Sequence, residues 1–216
     1  DYTMSVRDYY NEISNGKQEI IGDIESIIPW RTAEENYSYY VDGVNGTGQG
    51  NGPDGTTNNY EKSAGALVVE TAMAIDDEGF DFSQFDNGEG FIDVVILIVA
   101  GKGGHQNGNY FWPHMYVVQS SDPNSDYFSV DGVNIYKYIV IQEQYPYWGS
   151  SDETKIHPIG TICHELGHVL GLPDLYDNSN SPASGIGIWG LMGSGNYQIQ
   201  TSPAYMSAWS RYRLGF

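Results

Sequence analysis

The chain has 216 residues, of which 28 are acidic and 9 are basic, giving a formal net charge of −19. A surface this negative repels phosphate backbones and anionic lipids, so we exclude nucleic acids and membrane surfaces as partners. The longest apolar run, residues 94–100, is too short to cross a bilayer, and the single cysteine, Cys163, excludes an intrachain disulfide.

The first part of the chain predicts a short helix, a strand and a long loop. Residues 5–14 form the helix, with Ser5 as its cap. Ile20–Trp30 alternates loosely and predicts a first strand. Residues 42–59 are rich in glycine, asparagine and threonine and predict an exposed loop. Asp42 is a candidate calcium ligand there, although a solvated loop explains the same residues.

The middle of the chain predicts a helix at residues 60–77, which carry one apolar face. Residues 86–93, D-N-G-E-G-F-I-D, look like a shortened calcium loop, with Asp86 and Asp93 as candidate ligands. A tight turn at the Asn-Gly pair explains the same letters. Residues 92–100 are almost continuously β-branched and predict a central strand buried on both faces.

Two further strands are predicted at residues 110–119 and 134–142. A later irregular stretch carries Asp177, which is a candidate calcium ligand or a partner that orients a metal ligand. Near the end, Ser202 predicts the cap of a final helix with Pro203 at its first position.

The helix predicted at residues 158–170 carries the chemistry. His164 and His168 are four residues apart, which places both imidazoles on one face of a helix, and Glu165 projects between them. This H-E-x-x-H arrangement is typical of a zinc hydrolase. Gly171 suits the left-handed residue that ends a helix, so we expect the chain to turn back there.

The returning chain is expected to bring Asp174 to the same metal. Two helix ligands and one carboxylate leave a fourth position open, as catalytic zinc requires. Two alternatives stay open: His105 or His114 could replace Asp174, or the motif could lie on a surface helix with two solvated histidines.

A methionine flanked by glycines follows in Gly190-Leu-Met192-Gly193. With Gly171 and Asp174 it forms the metzincin layout, a long zinc motif followed by a methionine turn. Met192 is expected to lie under the metal as a hydrophobic floor and not as a ligand. Most metzincins carry a third histidine where this chain has Asp174, and a carboxylate oxygen is an acceptable substitute.

Four stretches resemble the immune inhibitor A family of secreted bacterial metalloproteases: residues 5–16, 164–177, 187–195 and 202–216. Since the likeness reaches both ends, it implies one catalytic domain over residues 1–216 and an extracellular location. The chain has no initiator methionine, so we expect a propeptide and C-terminal modules outside this sequence.

The resemblance implies an α+β, metzincin-like fold. A twisted mixed sheet with two main helices forms an upper lobe of about residues 1–171, and the active-site helix crosses the cleft floor. A smaller, irregular lower lobe with a C-terminal helix takes about residues 172–216. By the same resemblance, the strand with Trp112, His114 and Tyr116 borders the cleft and pairs with an extended polypeptide substrate. From the residues alone, an ordinary edge strand is an equal explanation.

The predicted function is zinc-dependent endopeptidase. A Zn²⁺ ion would activate a water and polarise a peptide carbonyl. Glu165 would take the proton of that water as general base and pass it to the leaving amine. Tyr197 is a candidate hydrogen-bond donor to the developing oxyanion, although an ordinary packing role explains it too.

Two other functions compete with this prediction. One is a zinc amidase that acts on a non-protein substrate. The other is a non-catalytic binding domain stabilised by Ca²⁺. Bound Ca²⁺ would then supply the stability that a secreted protein otherwise gains from disulfides. Glu165 argues against the binding domain, because a structural zinc site has no use for an acid at that position.

Overall fold

The computed structural model describes residues 4–22, 24–48, 61–103, 109–118, 127–144, 156–177, 185–199 and 201–216. The chain divides into two compact units, one of residues 1–29 and 158–216 and the other of residues 30–157. These units are not the two lobes predicted from the sequence, and the lobe division near residue 171 stays a prediction.

The second unit holds two small mixed sheets. The described strands are β1 (Phe91–Ile92), β2 (Val95–Lys102), β3 (His114–Val117), β4 (Phe128–Val130), β5 (Val133–Ile135) and β6 (Lys137–Gln144). One sheet has the order β1-β5-β4 and the other has the order β2-β6-β3. In each sheet the central strand is parallel to one neighbour and antiparallel to the other. The predicted α+β class is confirmed, although two small sheets stand in place of one.

The described helices belong to both units. The first unit holds α1 (Val6–Ile13), α4 (Ile159–Val169) and α5 (Ala208–Leu214), and the second holds α2 (Tyr37–Val41) and α3 (Ala64–Asp77). Short 3₁₀ turns occur at Phe82–Phe85, Gly187–Trp189 and Ser194–Tyr197. None of these described helices is both long enough and apolar enough to cross a membrane.

The core of the second unit forms between α3 and β6. Residues 138–141 of β6 are almost fully buried, and α3 buries Leu67, Val68 and Ile75. The Ser63 side chain accepts a hydrogen bond from the backbone N–H of Ala66 and so begins α3. The predicted helix at residues 60–77 is therefore confirmed, with a start set by this cap.

The prediction for residues 92–100 is wrong in one respect. The strand exists as β2, but it is not a central strand buried on both faces. Among the described residues β2 pairs only with β6, so it lies at an edge of its sheet. Ile96 and Ile98 are 41% and 49% exposed. A continuous apolar run indicates a strand but does not determine how many neighbours that strand has.

The first unit is organised by two buried tyrosines of α1. Ser5 and Asp8 form a reciprocal capping box at the start of this helix, which confirms the predicted N-terminal helix. The Tyr10 hydroxyl donates to the Cys163 carbonyl of α4 at 2.7 Å. The Tyr9 hydroxyl donates to the Ala204 carbonyl at 2.8 Å. The N-terminal helix therefore holds both α4 and the C-terminal segment.

No strand forms among the described residues of the predicted Ile20–Trp30 segment. The Arg7 guanidinium donates to the carbonyls of Ile20 and Gly22, each at 2.9 Å. Because these carbonyls are occupied by a side chain, they do not pair with a neighbouring strand. Ile21 is 83% exposed, so the segment also lacks a buried face.

The final helix begins later than predicted. Ser207, and not Ser202, caps α5 by accepting from the backbone N–H of Ser210. The backbone before it is bonded elsewhere, since the Ala204 N–H donates to the Gly195 carbonyl at 3.1 Å. The Tyr205 carbonyl accepts from the Leu191 N–H, also at 3.1 Å. In a helix that starts at Pro203 the Tyr205 carbonyl would accept from the N–H of Trp209, whereas here it bonds to a distant segment.

Candidate metal site

Helix α4 positions two histidines on one side. The imidazole rings of His164 and His168 meet edge to face, with centroids 4.8 Å apart and planes at 89°. Their Nε2 atoms are 3.2 Å apart. The opposite side of the helix is packed, because Cys163 is fully buried and Leu166 is 6% exposed. The amphipathic pattern therefore directs both imidazoles to the same point.

The helix ends as the sequence predicts. Gly171 has φ +90°, a left-handed conformation that glycine adopts without steric cost. The Gly171 N–H donates to the His168 carbonyl at 2.9 Å, and the Leu172 N–H donates to the Gly167 carbonyl at 3.0 Å. This pair of bonds is a Schellman motif, which satisfies the last carbonyls of the helix and reverses the chain.

The reversed chain brings Asp174 to the histidines. Its Oδ1 atom lies 3.1 Å from His164 Nε2 and 3.3 Å from His168 Nε2. Within the described part of the chain, these three residues form the one group of three or more histidine, cysteine or acidic side chains that could hold a metal ion. The structure therefore brings together the three side chains that the sequence selects.

The hydrogen bonds of the two imidazoles leave their Nε2 atoms as acceptors. His164 Nδ1 lies 2.9 Å from the Leu191 carbonyl, and His168 Nδ1 lies 2.8 Å from the Leu172 carbonyl. A carbonyl only accepts, so each Nδ1 carries the hydrogen. Two Nε2 lone pairs and the Asp174 carboxylate oxygen then face one another. Three acceptors at this distance require a cation or a proton between them.

The triangle of acceptor atoms fits zinc. A tetrahedral ion with bonds of about 2.0–2.1 Å has ligand atoms about 3.3 Å apart. The three distances in this structure are 3.1, 3.2 and 3.3 Å. Two imidazole nitrogens and one carboxylate oxygen are also ligands that zinc accepts.

The electrostatics of the site favour positive charge. Burial lowers the pKa of His168, but the hydrogen bonds to Asp174 and Leu172 and the charges of Glu165 and Asp174 outweigh it, so the net shift of the pKa is upward. Glu165 itself is only 7% exposed. The same negative surroundings that hold a proton on His168 would hold a metal cation.

The methionine turn lies against α4. Met192 is fully buried, and a Cβ added to Gly167 would come within 2.5 Å of its sulfur. The same turn supplies the Leu191 carbonyl that accepts from His164. The turn thus packs beneath the helix and also orients one of the histidines.

The sequence matches the model for the immune inhibitor A peptidase M6 catalytic domain over residues 1–215. The chain belongs to the immune inhibitor A peptidase M6 family. It is a metallopeptidase catalytic domain of the α+β class, as the sequence predicts.

Two kinds of curated relative are similar to this M6 domain. Immune inhibitor A of Bacillus thuringiensis subsp. alesti is 29% identical over 221 residues, which cover 88% of this chain and 28% of that protein. The pre-pro-metalloprotease PrtV of Vibrio cholerae serotype O1 strain M66-2 is 26% identical over 239 residues, which cover 98% of this chain and 23% of that protein. The M6 domain therefore spans about a quarter of the length of the curated relatives it matches.

His114 is not part of the M6 metal group. In β3, its Nδ1 donates to the Trp112 carbonyl at 2.7 Å, and its Nε2 accepts from the Tyr138 hydroxyl at 3.1 Å. Burial, only partly offset by the bond to Trp112, lowers the pKa of His114 to about 4. The alternative in which His114 replaces Asp174 is therefore wrong. The other alternative ligand, His105, lies outside the described residues.

The predicted substrate strand is an edge strand. β3 pairs antiparallel with β6, from His114 opposite Val140 to Val117 opposite Lys137. Among the described residues no strand pairs with its other edge. Trp112 precedes the strand and is 37% exposed, and Tyr116 lies within it. The role of this edge in substrate binding stays a prediction.

In the described part of the M6 domain the candidate calcium residues belong to no group of three or more histidine, cysteine or acidic side chains that could hold a metal ion. The Asp86 Oδ1 atom accepts from the backbone N–H groups of Gly88 and Gly90, each at 2.9 Å. These bonds make the tight turn that the sequence offered as an alternative. Asp42 lies 3.8 Å from the Lys62 ammonium, and Asp177 is likewise outside the metal group. Calcium binding stays a prediction.

Tyr176 is the residue that the sequence analysis missed. Burial first, and then the charge of Asp174 and a hydrogen bond to that side chain, raise the pKa of its hydroxyl. Its ring lies nearly parallel to His164, at 15° with centroids 6.4 Å apart. The chain bends at this point, so no periodic pattern identifies it. The one signal in the sequence is a hydroxyl two positions beyond a predicted ligand. Tyr197, the predicted donor, is 43% exposed in a 3₁₀ turn, and its role is untested.

Proposed function

We propose that this M6 catalytic domain is a zinc-dependent endopeptidase with His164, His168 and Asp174 as the zinc ligands. The observation that carries the proposal is the triangle of two Nε2 lone pairs and one carboxylate oxygen with sides of 3.1, 3.2 and 3.3 Å. When bound, zinc supplies Lewis-acid polarisation of the scissile carbonyl and makes water acidic enough to react near neutral pH.

Other residues of the chain orient the ligands and transfer the proton. The carbonyls of Leu191 and Leu172 hold both imidazoles in the tautomer that presents Nε2. Glu165 is the proposed general base, which takes a proton from the attacking water and returns it to the leaving amine. Its support is position, since Glu165 is buried beside His164 on α4 and its charge acts on both His168 and Tyr176.

We further propose that β3 binds the substrate as an added strand. An extended peptide can hydrogen-bond to an edge strand through its main chain, whatever its side chains. In the described structure β3 lies last in the order β2-β6-β3 of its sheet, which supports this role. N-methylation of the peptide amides near the scissile bond should then weaken binding, because each methyl group removes one donor.

Secretion and a propeptide are part of the same proposal. They are supported by the family relationship and by the relative that is called a pre-pro-metalloprotease, of which this chain matches 23%. Expression of the natural full-length gene product and sequencing of the N-terminus found in the medium would test both.

The deciding experiment compares casein hydrolysis by the wild type, Glu165→Gln and Glu25→Gln. Glu25 is an exposed residue outside the site, so its amide variant is the matched control. We expect hydrolysis that needs zinc, survives Glu25→Gln and falls by at least about 100-fold in Glu165→Gln. Zinc content is measured on each protein, because Glu165→Gln should still bind the metal.

The competing functions give different results. Intact casein together with hydrolysis of a non-protein amide would favour the amidase. Stoichiometric zinc with no turnover of either substrate would favour the binding domain. Full activity of Glu165→Gln would reject its role as the base while leaving the metal ligands in place.

A further inference from the structure

Tyr176 lies beside two of the three proposed metal ligands. The pKa of its hydroxyl is raised by burial first, then by the charge of the Asp174 carboxylate and by a hydrogen bond to that side chain, so the hydroxyl lies within reach of Asp174. Its ring lies at 15° to the His164 imidazole, with centroids 6.4 Å apart. One side chain is therefore placed next to both a carboxylate and an imidazole of the same group.

The backbone between Asp174 and Tyr176 is held on both sides. The Leu175 N–H donates to the Met192 carbonyl at 2.8 Å, and the Leu175 carbonyl accepts from the Ile186 N–H at 2.9 Å. A Cβ on Gly185 would come within 1.7 Å of the Leu175 carbonyl oxygen, so the chain packs tightly there. Tyr176 thus extends from a fixed backbone and not from a loose loop.

We propose that Tyr176 is a positioning residue, which fixes the Asp174 carboxylate through its hydroxyl and the His164 ring through its own ring. The inference rests on the proposed function, because it concerns the same three ligands. It adds a residue that is not itself a ligand. Partners that orient metal ligands typically contribute about 10–100-fold in metal affinity.

The variant Tyr176→Phe tests the hydroxyl alone. Tyr176 is 39% exposed, so a ring without the hydroxyl fits the same space and leaves no buried donor unpaired. Tyr212→Phe is the matched control, because Tyr212 is 84% exposed on α5 and far less constrained. Both substitutions remove one oxygen and keep the aromatic ring.

The experiment measures the Zn²⁺ dissociation constant by competition with a chromophoric chelator. The proteins are the wild type, Tyr176→Phe, Tyr212→Phe and His164→Ala, and the melting temperature of each metal-free protein is recorded as a check on folding. We expect Tyr176→Phe to bind zinc at least about 10-fold more weakly than the wild type, with an unchanged metal-free melting temperature. Tyr212→Phe should match the wild type.

The outcomes separate this inference from the proposed function. If the wild type binds zinc no better than His164→Ala, the metal site itself is wrong. If the wild type binds zinc tightly and Tyr176→Phe binds it within about twofold, the positioning role is overturned and the metal site stands. Unchanged zinc affinity with a lower kcat would also overturn it, since Tyr176 would then act on the substrate and not through Asp174.

Discussion

The sulfur of Met192 occupies the space that a side chain at position 167 would need, so Gly167 allows the methionine turn to approach α4 directly. Gly167 lies next to His168 on the helix, and the neighbouring Leu191 carbonyl accepts from His164. The close approach is therefore coupled to the orientation of a proposed metal ligand. A small residue beneath the helix is part of how the site is supported.

We expect Gly167→Ala to destabilise the protein although alanine is the better helix former. The new Cβ would lie 2.5 Å from the Met192 sulfur, and overpacking of a buried site costs about 1–3 kcal/mol of unfolding free energy. Urea unfolding of the metal-free protein measures the loss. Zinc affinity should also fall, because the turn that holds His164 is displaced.

A double-mutant cycle identifies the cause. In a Met192→Ala background the sulfur is absent, so Gly167→Ala should cost much less than it does in the wild type. Equal costs in the two backgrounds would mean that the contact between Gly167 and Met192 is not responsible.

The two tyrosines of α1 offer a second test. Tyr10→Phe removes a buried hydroxyl that donates to the Cys163 carbonyl at 2.7 Å, and Tyr9→Phe removes one that donates to the Ala204 carbonyl at 2.8 Å. Each variant should lose about 0.5–1.5 kcal/mol of unfolding free energy, as expected for one hydrogen bond. Tyr212→Phe, at an 84% exposed position, is the reference and should lose nothing measurable.

Only Tyr10 bonds to the helix that carries the proposed ligands. Zinc affinity should therefore respond to Tyr10→Phe more than to Tyr9→Phe when both are measured at the same temperature. If zinc affinity responds equally to the two variants, or if neither variant loses stability, these hydroxyls contribute little beyond the burial of their rings.

The candidate site could be predicted from the sequence because its determinants are local. The spacing of His164 and His168 needs only a helix, and Gly171 is the residue type that ends a helix in a Schellman motif. The return to Asp174 then spans only three residues. Tyr176 escaped prediction because its role depends on hydrogen bonds from Leu175 to distant segments, which leave no periodic signal.

The errors in the predicted fold arise from long-range interactions and not from local ones. The Ile20–Trp30 segment has the residue pattern of a strand, but the Arg7 side chain donates hydrogen bonds to two of its carbonyls. Ser202 and Ser207 are equally good caps, and the hydrogen bond from the Leu191 N–H to the Tyr205 carbonyl decides between them. Long-range partners of the backbone determine these outcomes, and the local sequence does not report them.

His114 predicts an acid sensitivity of the fold. Its pKa is lowered to about 4, mainly by burial, whereas an unfolded histidine titrates near 6.5. Between these values the unfolded chain binds a proton that the folded chain does not. The contribution of neutral His114 to the free energy of unfolding is therefore fully present above about pH 6.5. It is lost as the pH falls towards 4, by at most about 3 kcal/mol.

Urea unfolding of the wild type and His114→Gln between pH 5 and 6.5 measures this effect, in a range where most carboxylates stay ionised. The wild type should lose stability across the range, and the variant should lose less, because glutamine does not titrate. Parallel curves for the two proteins would show that His114 titrates normally in the folded state.

The last prediction concerns two quantities that respond to pH in opposite directions. They are the stability of the metal-free protein and its affinity for zinc. The pKa of His168 is raised in the metal-free fold, despite burial, by its bonds to Asp174 and Leu172 and by nearby negative charge. That contribution to stability is present below about pH 6.5 and is lost as the pH rises through the raised pKa. Zinc requires an unprotonated Nε2, so zinc affinity should instead increase as the pH rises.

Asp174→Asn separates the two responses. The amide keeps the shape of the side chain but removes its charge, so the pKa of His168 should decrease and the remaining pH dependence of zinc binding should move to lower pH. Affinity at neutral pH should fall by more than the 10–100-fold typical of a partner that only orients a ligand. Asp77→Asn, at an exposed position on α3, should leave both curves unchanged. Zinc titrations at several pH values measure these affinities. If Asp174→Asn binds zinc as tightly as the wild type, the carboxylate is not a ligand.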